Sequence, residues 1–271
     1  MKYRHSLLLR WVAALALSAL CLGPAVMAQT SNADANNSPA LTLNPAVIMV
    51  KAKPGQTFSQ ELTLWNNTIY ELRFHMEAQD VVVRDGRRVF VPAGELQGSI
   101  ARNAVFTEED LIALPGRSIT TRVTVTLPPT PGPRAIACIF MGRSPIATRN
   151  ALSMTASLGA LVTFTVDSDF HLQNDPLQVE VDEDAKTITF REQVRNTGRD
   201  PVVPQGVIAV TSEGGALIAR VPVEGHRLLP GESSEFTAEH PGLPKAGKYK
   251  VTLLMQNESA LFSNAAEFSI K

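Results

Sequence analysis

From about residue 40 onward the chain is a succession of short runs in which apolar and polar residues alternate. Each run ends at Pro, Gly, Asn or Asp. Such runs, rich in β-branched and aromatic residues, predict strands. They are Leu41–Val50, Thr57–Leu64, Glu71–Gln79, Val81–Val83, Ile119–Val125, Ala135–Met141 and Leu158–Val166. Beyond the midpoint come Leu177–Val181, Thr187–Val194, Val207–Thr211, Phe236–Thr237, Tyr249–Met255 and Ala266–Ile270. Val81–Phe90 predicts a hairpin turning at Asp85-Gly86, and Val179–Phe190 predicts another with an acidic turn. One segment has a helical signature. Thr107 is followed by Glu108, Glu109 and Asp110, which suits a helix start, and Pro115 ends it after Ala113. Many short strands with closely spaced turns make the predicted class all-β, built as sandwiches.

The pattern repeats. Leu114-Pro115-Gly116-Arg117-Ser118 precedes one alternating strand, and Leu229-Pro230-Gly231-Glu232-Ser233 precedes another, at a constant offset of 115. Gly132 and an apolar run follow the first copy; Gly247 and an apolar run follow the second at the same distance. Trp65-Asn66-Asn67-Thr68 and Arg195-Asn196-Thr197-Gly198 both carry a strand into an Asn turn, where Asn tolerates left-handed backbone. Two immunoglobulin-like domains are therefore expected, at 41–167 and 177–271. Residues 168–176, ending in Asp175-Pro176, form the connection.

The N-terminus changes the picture of where the protein works. Lys2, Arg4 and Arg10 precede the apolar stretch Trp11–Leu22, and Val26-Met27-Ala28 supplies a small-x-small cleavage site. Residues 1–28 are expected to be a signal peptide and 29–40 a flexible leader. The apolar stretch is short for a membrane span, and no later segment is long and apolar enough to be one. A net charge of −1 favours neither nucleic acid nor an anionic membrane. After cleavage only Cys138 remains, inside an apolar run, so no internal disulfide is expected and the thiol is read as a buried hydrophobe.

Candidate chemistry is sparse. His75, His171, His226 and His240 lie at no zinc-ligand spacing. Asp167, Asp169 and Asp175, and Asp182-Glu183-Asp184, lack a calcium-loop pattern and are read as solvated turns. No nucleophile elbow or phosphate-cradling loop is present. No cofactor, metal or catalytic residue is assigned. Arg84, Arg87 and Arg88, with Arg102, Arg117 and Arg122, are either ordinary surface charge or a contact for an acidic glycan.

The strand and turn signals resemble two families of exported tandem immunoglobulin-like proteins. The closer resemblance is to the surface family that binds WxL-type proteins and peptidoglycan. It rests on Trp65-Asn66-Asn67, Leu114-Pro115-Gly116, Pro128–Gly132 and Leu158–Val166, with Asn196-Thr197-Gly198, Leu229-Pro230-Gly231 and Pro244–Tyr249 in the second half. The chain is more distantly similar to the periplasmic pilus chaperones. Their basic cleft pair is not matched here, because Leu41–Val50 and Leu158–Val166 contain no Arg or Lys. The resemblance implies a non-catalytic protein of the periplasm or cell surface that binds or helps assemble a surface or pilus-like polypeptide. The expected pairing edge is Leu161, Thr163 and Thr165, approached by Arg143 and Arg149. The alternative is a peptidoglycan- or surface-glycan-binding adaptor using Arg84, Arg87 and Arg88.

Overall fold

A computed structural model describes residues 40–143, 157–257 and 260–271. The expected signal peptide, the leader up to residue 39 and Arg149 lie outside the described residues. Residues 39–271 form one compact unit.

The first half contains β1 (Leu41–Asn44), β2 (Val47–Lys51), β3 (Thr57–Asn66), β4 (Leu72–Arg84), β5 (Arg87–Pro92), β6 (Ala104–Phe106), β7 (Asp110–Ala113), β8 (Ser118–Thr126), β9 (Ala135–Arg143) and β10 (Ser157–Thr165). They form two sheets. One has the order β1-β3-β8-β6. The other has the order β2-β10-β9-β4-β5, with β7 added to β4. Alternation decides what lies between them. Leu62, Leu64, Phe74, Met76, Val123, Val125, Cys138, Phe140, Val162 and Phe164 share one core. Two edge-to-face ring pairs, Phe74–Phe140 and Phe58–Phe164, lock it, each adding about 0.5–1.5 kcal/mol beyond burial.

The second half contains β11 (Leu172–Asn174), β12 (Gln178–Asp182), β13 (Thr187–Asn196), β14 (Gln205–Ser212), β15 (Leu217–Val223), β16 (Ser233–Pro241), β17 (Gly247–Asn257) and β18 (Ala260–Ile270). β13 is central to one sheet, with β11 and β12 along one side and β16 along the other; the second sheet has the order β15-β14-β17-β18. Their facing residues, among them Phe190, Val210, Leu228, Phe236, Val251 and Met255, make a separate core. The described residues are thus nearly all-β, two immunoglobulin-like sandwiches in sequence.

Three sequence expectations are corrected here, and one strand is added. Thr107–Ala113 is not a helix. Leu111 and Ala113 are buried while Asp110 and Ile112 are exposed, a period of two, and β7 pairs with the free edge of β4 at Leu72–His75. The Asp110 carboxylate and the His75 ring stand 3.0 Å apart across that pair. An available strand edge overrode the local helix-start signal. Leu41–Val50 is not one strand. The chain crosses from one sheet to the other at the cis Asn44-Pro45 bond, so β1 pairs with β3 and β2 pairs in parallel with β10. Residues 168–176 are not only connection, because β11 lies within them. Leu217–Val223, interrupted by Pro222, is a strand that the pattern alone does not announce.

Asn66 and Asn196 have a stronger reason to be asparagine than turn conformation. Both are fully buried. The Asn66 amide donates to the carbonyls of Tyr70 (2.8 Å) and Ala113 (2.9 Å), and its Oδ1 accepts the Thr68 N–H (3.0 Å). The Asn196 amide donates to Asp200 (2.9 Å) and Leu228 (3.1 Å), and its Oδ1 accepts the Gly198 N–H (2.9 Å). Gly116 and Gly231, at φ 65° and 81°, each donate a backbone bond back to the asparagine carbonyl. The same knot ties each strand end to its Leu-Pro-Gly turn.

Candidate functional site

The sheet that contains β10 turns its outer face toward the second sandwich. Along β4 the outward residues include Val81 and Val83; along β9, Ala135, Ala137 and Ile139; along β10, Gly159, Leu161 and Thr163. Leu229, 1% exposed, reaches this face from the second sandwich's Leu-Pro-Gly turn and packs against Val81, Ala135 and Ala137. Between the sandwiches lies a cleft of about 670 Å³, lined by Met49, Lys51, Thr165, Phe170, Val203 and Gln256 among others.

Charged groups fix this arrangement. Arg134, 9% exposed, sits where the chain enters β9. Its Nε donates to Asp200 Oδ1 (3.1 Å), one terminal nitrogen to Asp167 Oδ2 (2.8 Å) and the other to the Pro131 carbonyl. Asp200 is fully buried in the turn after β13 and also accepts the backbone N–H groups of Val166 (3.0 Å), Asp167 (2.8 Å) and Asp169 (3.1 Å). A buried carboxylate with four donors, one of them cationic, is compensated for the loss of water. Arg199 bonds Asp169 at 2.8 Å, and His171 pairs with the same carboxylate at 2.7 Å; the Arg199 hydrogen bond first, then His171, holds Asp169 below the usual carboxylate range. Asp167 and Asp169 are therefore members of an ion-pair network rather than merely solvated turn residues. Asp182 does cap an exposed turn, accepting the N–H groups of Asp184 and Ala185. Sequence reading missed Arg134 and Asp200. The available signal was a lone charge at the mouth of an apolar run.

A second tie crosses at the β4–β5 hairpin. Arg88 donates to both oxygens of Glu232 (2.8 and 3.1 Å) and to the Arg227 carbonyl (2.9 Å), while Glu232 also accepts the Leu229 N–H (2.7 Å). This corrects the proposed arginine trio. Arg84 and Arg87 are exposed and face each other across the hairpin, but Arg88 is committed within the protein and is not a free cation for a glycan.

The expected pairing edge also changes. Leu161 and Thr163 have strands on both sides, β9 along one edge for residues 157–163 and β2 along the other for residues 161–165, and Thr165 is paired with β2. The Thr163 hydroxyl bonds the Ile48 carbonyl (3.2 Å), and the Leu161 N–H bonds Ala46 (2.9 Å). The β2-side edge of these residues is therefore already paired. The open part is Ser157–Ala160, which has no strand on its β2 side among the described residues. Because N–H and C=O directions alternate along a strand, the groups of Ser157 and Gly159 point into that vacant lane, on the side where Leu161 meets Ala46. Arg143 ends β9 opposite Arg73 on β4. Next to the open lane is a groove of about 300 Å³ bounded by Val81, Phe90, Ala137, Ile139, Gly159 and Leu161.

Cys138 is fully buried, and burial pushes its thiol up to about 12. Among the described residues no group of three or more His, Cys, Asp or Glu converges as metal ligands would. No helix among them is long and apolar enough to cross a membrane.

No protein-family model and no curated sequence matches the chain. Several solved structures of chaperones are similar to it. The class 5 fimbriae chaperone CfaA is 12% identical, covering 85% of this chain and 99% of its own, with a TM-score of 0.43. The CupB2 chaperone of Pseudomonas aeruginosa is 15% identical, covering 85% and 100%, with a TM-score of 0.40. The chaperone DraB of E. coli is 15% identical, covering 85% and 97%, with a TM-score of 0.38. These structural neighbours correspond to the pilus chaperones, the more distant of the two families suggested by sequence. The WxL-binding resemblance has no counterpart among them.

Proposed function

We propose that this chain is a non-catalytic, exported cell-envelope protein that holds another surface polypeptide by strand addition, as a chaperone or adaptor would. On this reading residues 41–167 and 177–271 act as two domains, and the partner is a surface or pilus-like polypeptide. The observation that carries the proposal is the half-open edge of β10. The outer edge of β5 bears Arg87, Arg88 and Pro92, and β15 bears Arg220 and Pro222, the residues that keep strand edges from pairing. Ser157–Ala160 has neither charge nor proline, and on its β2 side no strand among the described residues takes up the backbone groups of Ser157 and Gly159. An extended segment laid there would complete the sheet in line with β2. The buried Arg134–Asp200 pair and the Arg88–Glu232 pair support the reading, since they hold the second sandwich as a fixed wall beside the lane.

A photo-crosslinking residue at Ser157, in the native envelope, tests this by mass spectrometry of captured proteins. The expected capture is a stoichiometric surface polypeptide, absent when the crosslinker sits at exposed Glu183 and reduced by Gly159→Pro, which removes one open donor. Capture from Ser157 indistinguishable from that at Glu183 rejects the proposal.

A further inference from the structure

Resting on the strand-addition reading, we infer that the groove beside Gly159 is a specificity subsite, accepting one bulky apolar side chain from the added strand. Gly159 faces outward on β10, directly across from Ile139 on β9, and Leu161 is across from Ala137. Two small residues of this face, Gly159 and Ala137, thus form a floor. Ile139, Leu161, Val81 and Phe90 rise around it. Phe90 is 55% exposed, a large ring left in solvent at the rim.

The fold gives Gly159 no other reason to be glycine. It lacks the positive φ of the turn glycines. A Cβ built there would lie 3.5 Å from Ile139 Cγ1 and 3.7 Å from the Cys138 carbonyl, ordinary contact distances. At Gly206, by contrast, a Cβ would fall 2.4 Å from the Leu254 carbonyl oxygen, so the neighbouring backbone excludes it. A strand interior pays entropy for glycine and gains no packing from it. What the missing side chain does at Gly159 is leave the groove open toward the lane that no described strand fills.

An added strand would lie about 4.8 Å from β10, and its residue opposite Gly159 would project on the same face. With no side chain in between, that residue reaches over Gly159 to Ile139 and Leu161. A groove of about 300 Å³ accommodates Leu, Met or Phe. It does not select a charge. Arg88, the one cationic residue among the described lining, spends its guanidinium on Glu232 and Arg227 and offers only its alkyl stem as wall.

The test is a series of fluorescent synthetic peptides with alternating Thr and Val, identical except for one central residue: Ala, Leu or Phe. Binding is titrated by anisotropy against the mature protein, Gly159→Ala and Gly159→Leu. The Leu and Phe probes are expected to bind the parent about tenfold or more tightly than the Ala probe. In Gly159→Leu that preference should fall below about twofold, while the Ala probe keeps its affinity because the backbone groups remain. Gly159→Ala, whose methyl fits, should show an intermediate preference and serves if the Leu variant does not fold. A flat series on the parent, or an unchanged preference in the variants, overturns the subsite while leaving strand addition standing. Failure of every probe, Ala included, to bind the parent overturns both.

Discussion

Replacing Asp200 with Asn removes one charge and almost no volume, and it strikes the point where the sandwiches are tied. The Asp200 carboxylate accepts from Arg134 and Val166 on one oxygen and from Asp167 and Asp169 on the other. An amide in the same place keeps one acceptor oxygen. Whichever way it turns, two donors then face its NH2 group and are orphaned in a fully buried site. Each orphan costs about 1–3 kcal/mol. Arg134 is also left nearly buried with only Asp167 as a charged partner. The total should be about 3–5 kcal/mol, as for other broken buried pairs, a large share of a typical stability of about 5–15 kcal/mol. Arg134→Met is milder, at about 1–3 kcal/mol, because Asp200 retains three backbone donors. The double variant should cost less than the sum of the two. Urea unfolding of the mature chain measures this with two probes. Trp65, the one tryptophan outside the expected signal peptide, reports on the first sandwich, and far-ultraviolet circular dichroism reports on both. With a slope of about 2–3 kcal/mol/M the Asp200→Asn midpoint should fall by about 1–2 M. A loss under about 1 kcal/mol, or strict additivity in the double variant, would refute the account of Asp200 as the shared hub.

Other consequences follow from the same geometry. Asn66→Ala and Asn196→Ala each remove two hydrogen bonds to backbone carbonyls and one from a backbone N–H around a fully buried side chain, so each should cost about 2–4 kcal/mol; values differing by more than about 2 kcal/mol would deny the equivalence of the two knots. Glu192 is 1% exposed and has one oxygen without a partner, and burial raises its pKa. The folded state therefore holds this proton to higher pH than the unfolded chain does. Glu192's favourable contribution is present below the ordinary glutamate pKa and is lost as pH rises through the raised value. Glu192→Gln should accordingly look more stabilising, relative to the parent, at pH 8 than at pH 4 in parallel urea titrations, and a pH-independent difference would contradict it. Arg88→Ala should lower stability by about 1–2 kcal/mol through loss of the Glu232 and Arg227 bonds. If the arginine trio were a glycan site, that variant would lose glycan binding with no change in unfolding. Cys138 should resist alkylation in the native protein and react only on unfolding, which a timed iodoacetamide reaction followed by mass measurement checks.

Most of the strands and both Leu-Pro-Gly turns were legible in the sequence, because a sandwich strand writes its burial as alternation and its turn as Pro-Gly. Leu62, Leu64, Val123 and Val125 declare a buried face whatever they pack against. The duplication was legible for the same reason: the two turns need the same backbone, and glycine at positive φ supplies it at Gly116 and Gly231. Choices that depended on a partner far along the chain were not legible. Asp110–Ala113 carries residues acceptable to helix or strand, and only the unpaired start of β4 makes it a strand. Leu158–Val166 reads as one uniform strand, yet β2 closes half of its edge and no described strand closes the other half, a division made by the sheet crossing at Asn44-Pro45, more than a hundred residues away. Arg88 reads as one of three hairpin arginines until Glu232, 144 residues further on, takes it. Alternation encodes which face of a strand is buried. It does not encode which neighbour lies along its edge, because backbone donors and acceptors are the same in every residue but proline, and only tertiary structure assigns them.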